Sequence, residues 1–261
     1  MRHQTVTTHD GAVLAVQQAG PHDGPALLLL PGQANSHRWW AGLRETFEQS
    51  RRTITFDYRG TGATVAPESD WSTTSFAHDA AQVLRSLGVT RADVYATSMG
   101  GRVAQMLAIG SAELVGRLVL ACTSPGGRVA VERSNAVRRA LSDPDADVRR
   151  ETLLDLMYTP AWRALGRRSH LLGDPTMSRR AQALHLRASN GHDAAGRLSE
   201  ITAPTLVLHG EEDVMVPTAN AHHLAGHIPR AELETVPGGR HGFFDEFADQ
   251  VSATVQGFLG D

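Results

Sequence analysis

One serine in this chain has the neighbours a nucleophile needs. In Val94-Tyr95-Ala96-Thr97-Ser98-Met99-Gly100-Gly101-Arg102-Val103-Ala104 a short apolar run leads into a tight turn with Ser98 at its apex, and a helical pattern starts at once. A serine hydroxyl is a poor nucleophile at neutral pH. Chemistry at Ser98 therefore needs a base beside it and N–H donors for the developing oxyanion. A sharp strand-to-helix turn helps with the donors. It lifts the hydroxyl clear of the sheet and aims the first N–H groups of the helix at the reacting carbonyl. Such a turn is strained and presses strand against helix, so the residues two before and two after the serine must be small. Ala96 and Gly100 meet that requirement, and Gly101 follows.

The pattern small-x-Ser-x-small resembles the nucleophile elbow of the α/β-hydrolase family, with Ala96 where the family more often has Gly. Two further stretches resemble the same family. Leu208-His209-Gly210-Glu211-Glu212-Asp213 looks like its G-x-x-D segment after the penultimate strand, which makes Asp213 the acid and leaves Glu211 and Glu212 as a solvated turn. Pro237-Gly238-Gly239-Arg240-His241-Gly242 looks like its glycine-rich histidine loop, which makes His241 the base. The order Ser98, Asp213, His241 is the order this fold requires. The resemblance thus implies a serine–histidine–aspartate triad, with an oxyanion hole from the backbone N–H groups of Met99 and Gln33. Gln33 lies in Pro31-Gly32-Gln33, where the family commonly reads His-Gly-x, so Pro31 replaces the histidine. Asp57-Tyr58-Arg59-Gly60-Thr61-Gly62 matches the family's D-x-R-G-x-G loop. Asp57 and Arg59 are read there as structural, tying the loop under the site. A phosphate-binding reading of these glycines lacks a following Lys and a helix start.

The elements that must position these residues follow from hydrophobic pattern. Residues 4–8 and 12–18 alternate around His9-Asp10-Gly11, the mark of a hairpin of two antiparallel edge strands. Ala26–Leu30 is continuously apolar, as a strand buried on both faces is. Helical spacing is expected around Trp39, Trp40 and Leu43 and over Phe76–Leu87, with Gly88 as a C-cap. Strands are expected at 53–56, in the apolar run from Val94 that leads to Ser98, and at 118–122, 205–209 and 231–236, with a last helix over about Phe244–Leu259. Residues 124–195 show helical stretches at 131–141, 148–158, 160–169 and 178–189 but no clear strand.

Strands alternating with helices imply an α/β chain with a mostly parallel sheet, and its site lies beyond the carboxyl ends of the strands. The resemblance makes this an α/β-hydrolase fold: a mostly parallel eight-stranded sheet flanked by helices. Residues 1–123 and 196–261 would form the core, and residues 124–195 a helical cap inserted after the sixth strand. Cap residues Met157, Tyr158 and Trp162 either line a pocket or pack cap onto core. With Gly32, Trp40 and Phe243 they are the candidate substrate contacts.

Composition narrows the function. At 41% hydrophobic and 20% charged residues the chain is that of a globular protein, and its net charge of -3 gives no basic footprint for nucleic acid. The most apolar run, Ala26–Leu30, is too short for a membrane span, and Met1–Thr8 lacks the apolar core of a signal peptide, so a cytoplasmic location is expected. The lone Cys122 excludes an intramolecular disulfide. Thirteen histidines are present; neither His209 nor His192 has a paired ligand at metal-site spacing, and no metal and no other cofactor is expected. The expected activity is acyl transfer to water on an ester or lactone of a small organic substrate. Two alternatives stand beside it. One is hydrolysis of a carbon–carbon bond in a ring-cleavage product with the same triad; the other is a small-molecule receptor with little turnover. The sequence carries no mark of oligomeric state.

Overall fold

The computed structural model describes residues 1–260. Eight strands form one sheet: β1 (Arg2–Thr7), β2 (Val13–Ala19), β3 (Ala26–Leu30), β4 (Arg52–Phe56), β5 (Ala92–Thr97), β6 (Val115–Ala121), β7 (Thr205–Gly210) and β8 (Ala231–Val236). Their order is β1-β2-β4-β3-β5-β6-β7-β8. β2 runs antiparallel to both β1 and β4, and all pairings from β4 to β8 are parallel. The expected antiparallel pair is present, but only β1 is an edge; β2 lies inside the sheet.

Ten α-helices accompany the strands: α1 (Arg44–Phe47), α2 (Thr73–Ser86), α3 (Met99–Gly110), α4 (Asn135–Ala140), α5 (Ala146–Met157), α6 (Pro160–Ala164), α7 (Arg179–Asn190), α8 (Ala219–His227), α9 (Phe243–Glu246) and α10 (Ala248–Leu259). β3 shows how the layers form. Leu28 and Leu30 join a core with α2, α3 and α8 on one face, while Leu27 and Leu29 join a core with Trp39, Trp40, Phe244 and α10 on the other. Period-two alternation thus buries a continuously apolar strand on both faces. None of the helices among the described residues is long and apolar enough to cross a membrane.

Several helices differ from the sequence pattern. The Trp39–Trp40 stretch makes only a 3₁₀ turn, His37–Trp40, because the chain turns extended at Ala41 and left-handed at Gly42 (φ +81°). The last helix is broken at Phe247 into α9 and α10. α6 stops before Gly166, which is left-handed at φ +62°. Ser134, Asp145, Thr159 and Ser178 cap α4 to α7, each accepting from a backbone N–H of the first turn. These caps place the helix starts that periodicity alone left vague. α8 carries three histidines in a weak pattern and was not legible.

The helical segment between β6 and β7 leaves and returns through one neck. Gly127 N–H donates to His192 O (3.0 Å) and Ala194 N–H to Pro125 O (2.9 Å). The segment is bound to the sheet domain at its far end too. Tyr158 stacks on Trp162 with ring centroids 3.7 Å apart, and its hydroxyl donates to Asp245 (2.7 Å).

Candidate active site

Ser98 sits between β5 and α3 in a conformation L-residues rarely adopt, φ +53° and ψ −121°. The turn is over-determined by its surroundings. Ser98 N–H donates to Ala121 O (2.9 Å), and the Thr123 hydroxyl donates to Ser98 O (2.7 Å). Gly100 explains the small-residue rule, since a Cβ there would stand 2.3 Å from Leu30 O and 2.6 Å from Pro31 O. α3 can start against the β3 loop only without a side chain at that position.

His241 follows β8 and Asp213 follows β7, neighbouring strands whose carboxyl ends face Ser98. His241 Nδ1 lies 2.7 Å from Asp213 Oδ2, and His241 Nε2 lies 3.0 Å from Ser98 Oγ. A carboxylate can only accept, so Nδ1 carries the proton and Nε2 is left to accept from the Ser98 hydroxyl. Asp213 is buried, and its other oxygen, Oδ1, accepts from Met215 N–H (2.9 Å) and Val216 N–H (2.8 Å). Behind it, buried His209 donates through Nε2 to Val216 O (2.8 Å), and burial pushes its basicity down. The backbone of the histidine loop is strapped to the end of α5: His241 N–H donates to Leu156 O (3.1 Å) and Gly242 N–H to Met157 O (2.8 Å). These bonds also satisfy carbonyls that the helix end leaves open.

The loop after β3 lies beside the elbow because β3 and β5 are neighbours where the strand order reverses. Among the described residues, neither Gln33 N–H nor Met99 N–H donates to a protein acceptor. Met99 directly follows Ser98, and Gln33 lines the same cavity as Ser98. Gly32 packs its backbone on the Trp39 ring, where a Cβ would stand 2.6 Å away. Ala34, at φ +58°, is held through both backbone groups: its N–H donates to His185 Nδ1 (3.2 Å), and its O accepts from Asp174 N–H (2.7 Å). His185 also donates through Nε2 to Arg59 O (2.8 Å). Arg59 itself forms two hydrogen bonds to Asp79, both 2.7 Å, and Asp57 accepts from His37 N–H (2.8 Å) and Ala63 N–H (3.0 Å).

A cavity of about 1870 Å³ opens over Ser98 and His241. Of the expected substrate contacts, Met157 lines it and the other five do not. Trp40 is fully buried against Tyr95 and Phe244. Phe243 is core, Gly32 lies against Trp39, and Tyr158 and Trp162 form the stacked strap between the helical segment and α9. These are packing residues, and the pocket reading of them is corrected. Trp39 lines the cavity in place of Trp40, with its indole N–H on Thr97 Oγ1 (2.8 Å). Sequence reading also missed Leu153 and Met215 and a set of arginines, including Arg102 and Arg133. Arg102 had a readable signal: it is four residues after Ser98 on a helix and so shares its face.

Fold and site geometry together define an α/β-hydrolase. The chain belongs to that family, whose model, described as alpha/beta hydrolase fold, matches residues 25–248. A relative from Pseudomonas savastanoi pv. phaseolicola, named provisionally as the carbamate hydrolase RutD, is 31% identical over 235 residues, covering 84% of this chain and 87% of its own. The crystal structure of the esterase RhEst1 from Rhodococcus sp. ECU1013 superposes with a TM-score of 0.86 at 25% identity, covering 100% of this chain and 99% of that one. The enol-lactonase from Burkholderia xenovorans LB400, with a TM-score of 0.83 at 22% identity and full coverage of both chains, shares the fold.

Proposed function

We propose that this chain is a serine hydrolase that cleaves a carboxylic ester or lactone of a small organic substrate through an acyl-enzyme on Ser98. The observation that carries this reading is the line from Asp213 through His241 to Ser98 Oγ, at 2.7 and 3.0 Å, beside two unengaged N–H groups. Ser98 Oγ attacks the carbonyl carbon as His241 Nε2 takes its proton. Asp213 holds the imidazole in the required tautomer and stabilises its charged form. Gln33 and Met99 N–H groups receive the oxyanion. His241 returns the proton to the leaving oxygen, then activates water to release the acid. Residues 124–195 act as a cap: Leu153 and Met157 of α5 and Leu171 supply apolar walls to the cavity over the nucleophile. The name of the Pseudomonas relative favours a second acyl group, a carbamate, which the same steps would open.

The test pairs fluorophosphonate labelling with hydrolysis of p-nitrophenyl esters from acetate to octanoate, plus a simple lactone and a carbamate, in native protein and Ser98→Ala. Labelling and turnover that are both present in the native protein and lost in the variant are expected. A folded native protein that neither labels nor turns over any of them defeats the proposal and points to a binding role.

A further inference from the structure

The cavity over Ser98 has a charge that the chain as a whole lacks. The protein carries a net -3, yet seven arginines and only three carboxylates line this space. The three carboxylates are already engaged. Asp57 accepts from backbone N–H groups and pairs with His37, Asp174 accepts from Gly62 N–H and Thr176, and Glu132 pairs with Arg138 at 2.9 Å.

Of the seven arginines, only Arg138 has an ion pair among the described residues; Arg102 and Arg133 stand apart from the other unpaired arginines because burial lowers the basicity of both. Arg102 is one helical turn beyond Ser98. Its guanidinium is held by neutral groups only: Nη1 donates to Ser189 O (2.5 Å) and Oγ (3.0 Å), and Nη2 to Ser124 Oγ (3.0 Å). Among the described residues it has no ion pair, and burial drags its pKa down to about 10. Half-buried Arg133 has no side-chain hydrogen bond or ion pair among the described residues; the charges that reach it are those of Glu132, Arg138 and Asp213, and Arg102 feels Glu132 and Arg133. Desolvating a guanidinium that has no ion-pair partner is unfavourable, and a second guanidinium nearby adds like-charge repulsion; the carboxylate that offsets both, Glu132, is itself paired with Arg138. Three neutral hydrogen bonds on Arg102 do not remove that charge. A bound anion would.

We infer that Arg102 and Arg133 form a carboxylate subsite, so that the preferred substrate is an ester or lactone carrying a free carboxylate away from its scissile group. This rests on the serine-hydrolase reading for the position of the scissile carbonyl, but the anion site itself stands on the arginine pair. Carboxylate fits better than a bulkier anion because Arg102 has two of its three nitrogens already committed. Arg133 offers its full planar fork for a two-point contact.

The experiment compares two esters with one leaving group, p-nitrophenyl butyrate and mono-p-nitrophenyl glutarate, in native protein and Arg133→Gln. Arg102→Gln would also cut the ties to Ser189 and Ser124, so Arg133→Gln carries the test. Native protein should prefer the glutarate ester in kcat/KM. The variant should lower the glutarate-to-butyrate ratio by roughly 10- to 100-fold, the range for losing a charged hydrogen-bond partner. Calorimetric binding of free glutarate to Ser98→Ala, with and without Arg133→Gln, reads the subsite without any turnover. Weaker binding in the double variant supports the subsite even if no ester is cleaved. Equal preference for both esters, or glutarate binding that is absent or indifferent to Arg133, overturns it. In that case butyrate turnover and fluorophosphonate labelling still decide the hydrolase reading separately.

Discussion

The imidazole of His185, on α7, accepts a hydrogen bond from Ala34 N–H at 3.2 Å across 151 residues of sequence. Ala34 is the residue after Gln33, which lines the same cavity as Ser98 and whose own N–H has no protein acceptor among the described residues. His185 therefore holds the loop after β3 from the far side, while its Nε2–H fixes it to Arg59 O at 2.8 Å. Removing the imidazole leaves Ala34 N–H and Arg59 O without partners and frees a backbone already strained at φ +58°. His185→Leu should lower kcat by roughly 10- to 100-fold with a smaller change in KM, the scale expected when a reacting geometry slips by about an ångström. Steady-state kinetics on the best ester decide it. A KM effect alone would place His185 in substrate binding instead.

The same histidine predicts acid sensitivity. Burial lowers its pKa from 6.5 to about 4, and lowers that of His192, at the neck of the helical segment, to about 3. The unfolded chain binds protons at these positions between pH 6.5 and the folded values, and the native chain does not. Stability must then rise with pH across that window: full above about pH 6.5, lost as pH falls toward 4 and 3. For His185 the shift corresponds to roughly 3 kcal/mol. Urea unfolding at pH 7.5, 6 and 5 should show a steadily falling midpoint. His185→Leu should flatten the curve, although it starts lower. A midpoint that holds from pH 7.5 to 5 would contradict the burial of neutral imidazoles.

That Ser98, His241 and Asp213 would be brought together could be read from sequence because each lies at a local backbone demand. Only small residues fit around a strained elbow, and the glycine-rich loop before His241 must turn sharply. The β3 pattern was legible for the same reason, since burial on both faces leaves no room for polar residues. The substrate space was not legible. Whether Trp39 or Trp40 faces it is decided by one residue of a 3₁₀ turn, and periodicity does not separate adjacent positions there. Tyr158 and Trp162 look alike whether they line a pocket or stack as a strap. The His185–Ala34 bond is longer-range still: no local pattern announces a contact made only when a helical segment folds back onto a loop.

Gly100 tests the packing side of the elbow. A Cβ there would stand 2.3 Å from Leu30 O, a backbone atom in the middle of the sheet that cannot move aside as a side chain would. Gly100→Ala should destabilise the protein by at least about 3 kcal/mol, at the upper end of overpacking effects. Soluble yield and the urea midpoint measure it. A variant that folds with near-native stability would mean that α3 can shift away from β3, and its Ser98 should then label slowly with fluorophosphonate.

Asp213→Asn isolates the role of the carboxylate. Oδ1 of Asp213 accepts from Met215 and Val216 N–H groups, and an asparagine would keep its carbonyl oxygen on those two donors. That orientation turns the amide NH₂ toward His241 Nδ1, where a donor now faces what was a donor. The imidazole must accept at Nδ1 and carry its proton on Nε2, facing Ser98 Oγ with a hydrogen instead of a lone pair. The base is lost although every heavy atom stays near its place. kcat should fall by roughly 10⁴-fold, as it does when a triad histidine is held in the wrong tautomer, with KM little changed and the fold intact by circular dichroism. Labelling of Ser98 by fluorophosphonate should slow in parallel, because it needs the same deprotonation. A fall of less than tenfold in both would show that His241 finds its tautomer without Asp213, and would shift the orienting role to another partner of the imidazole.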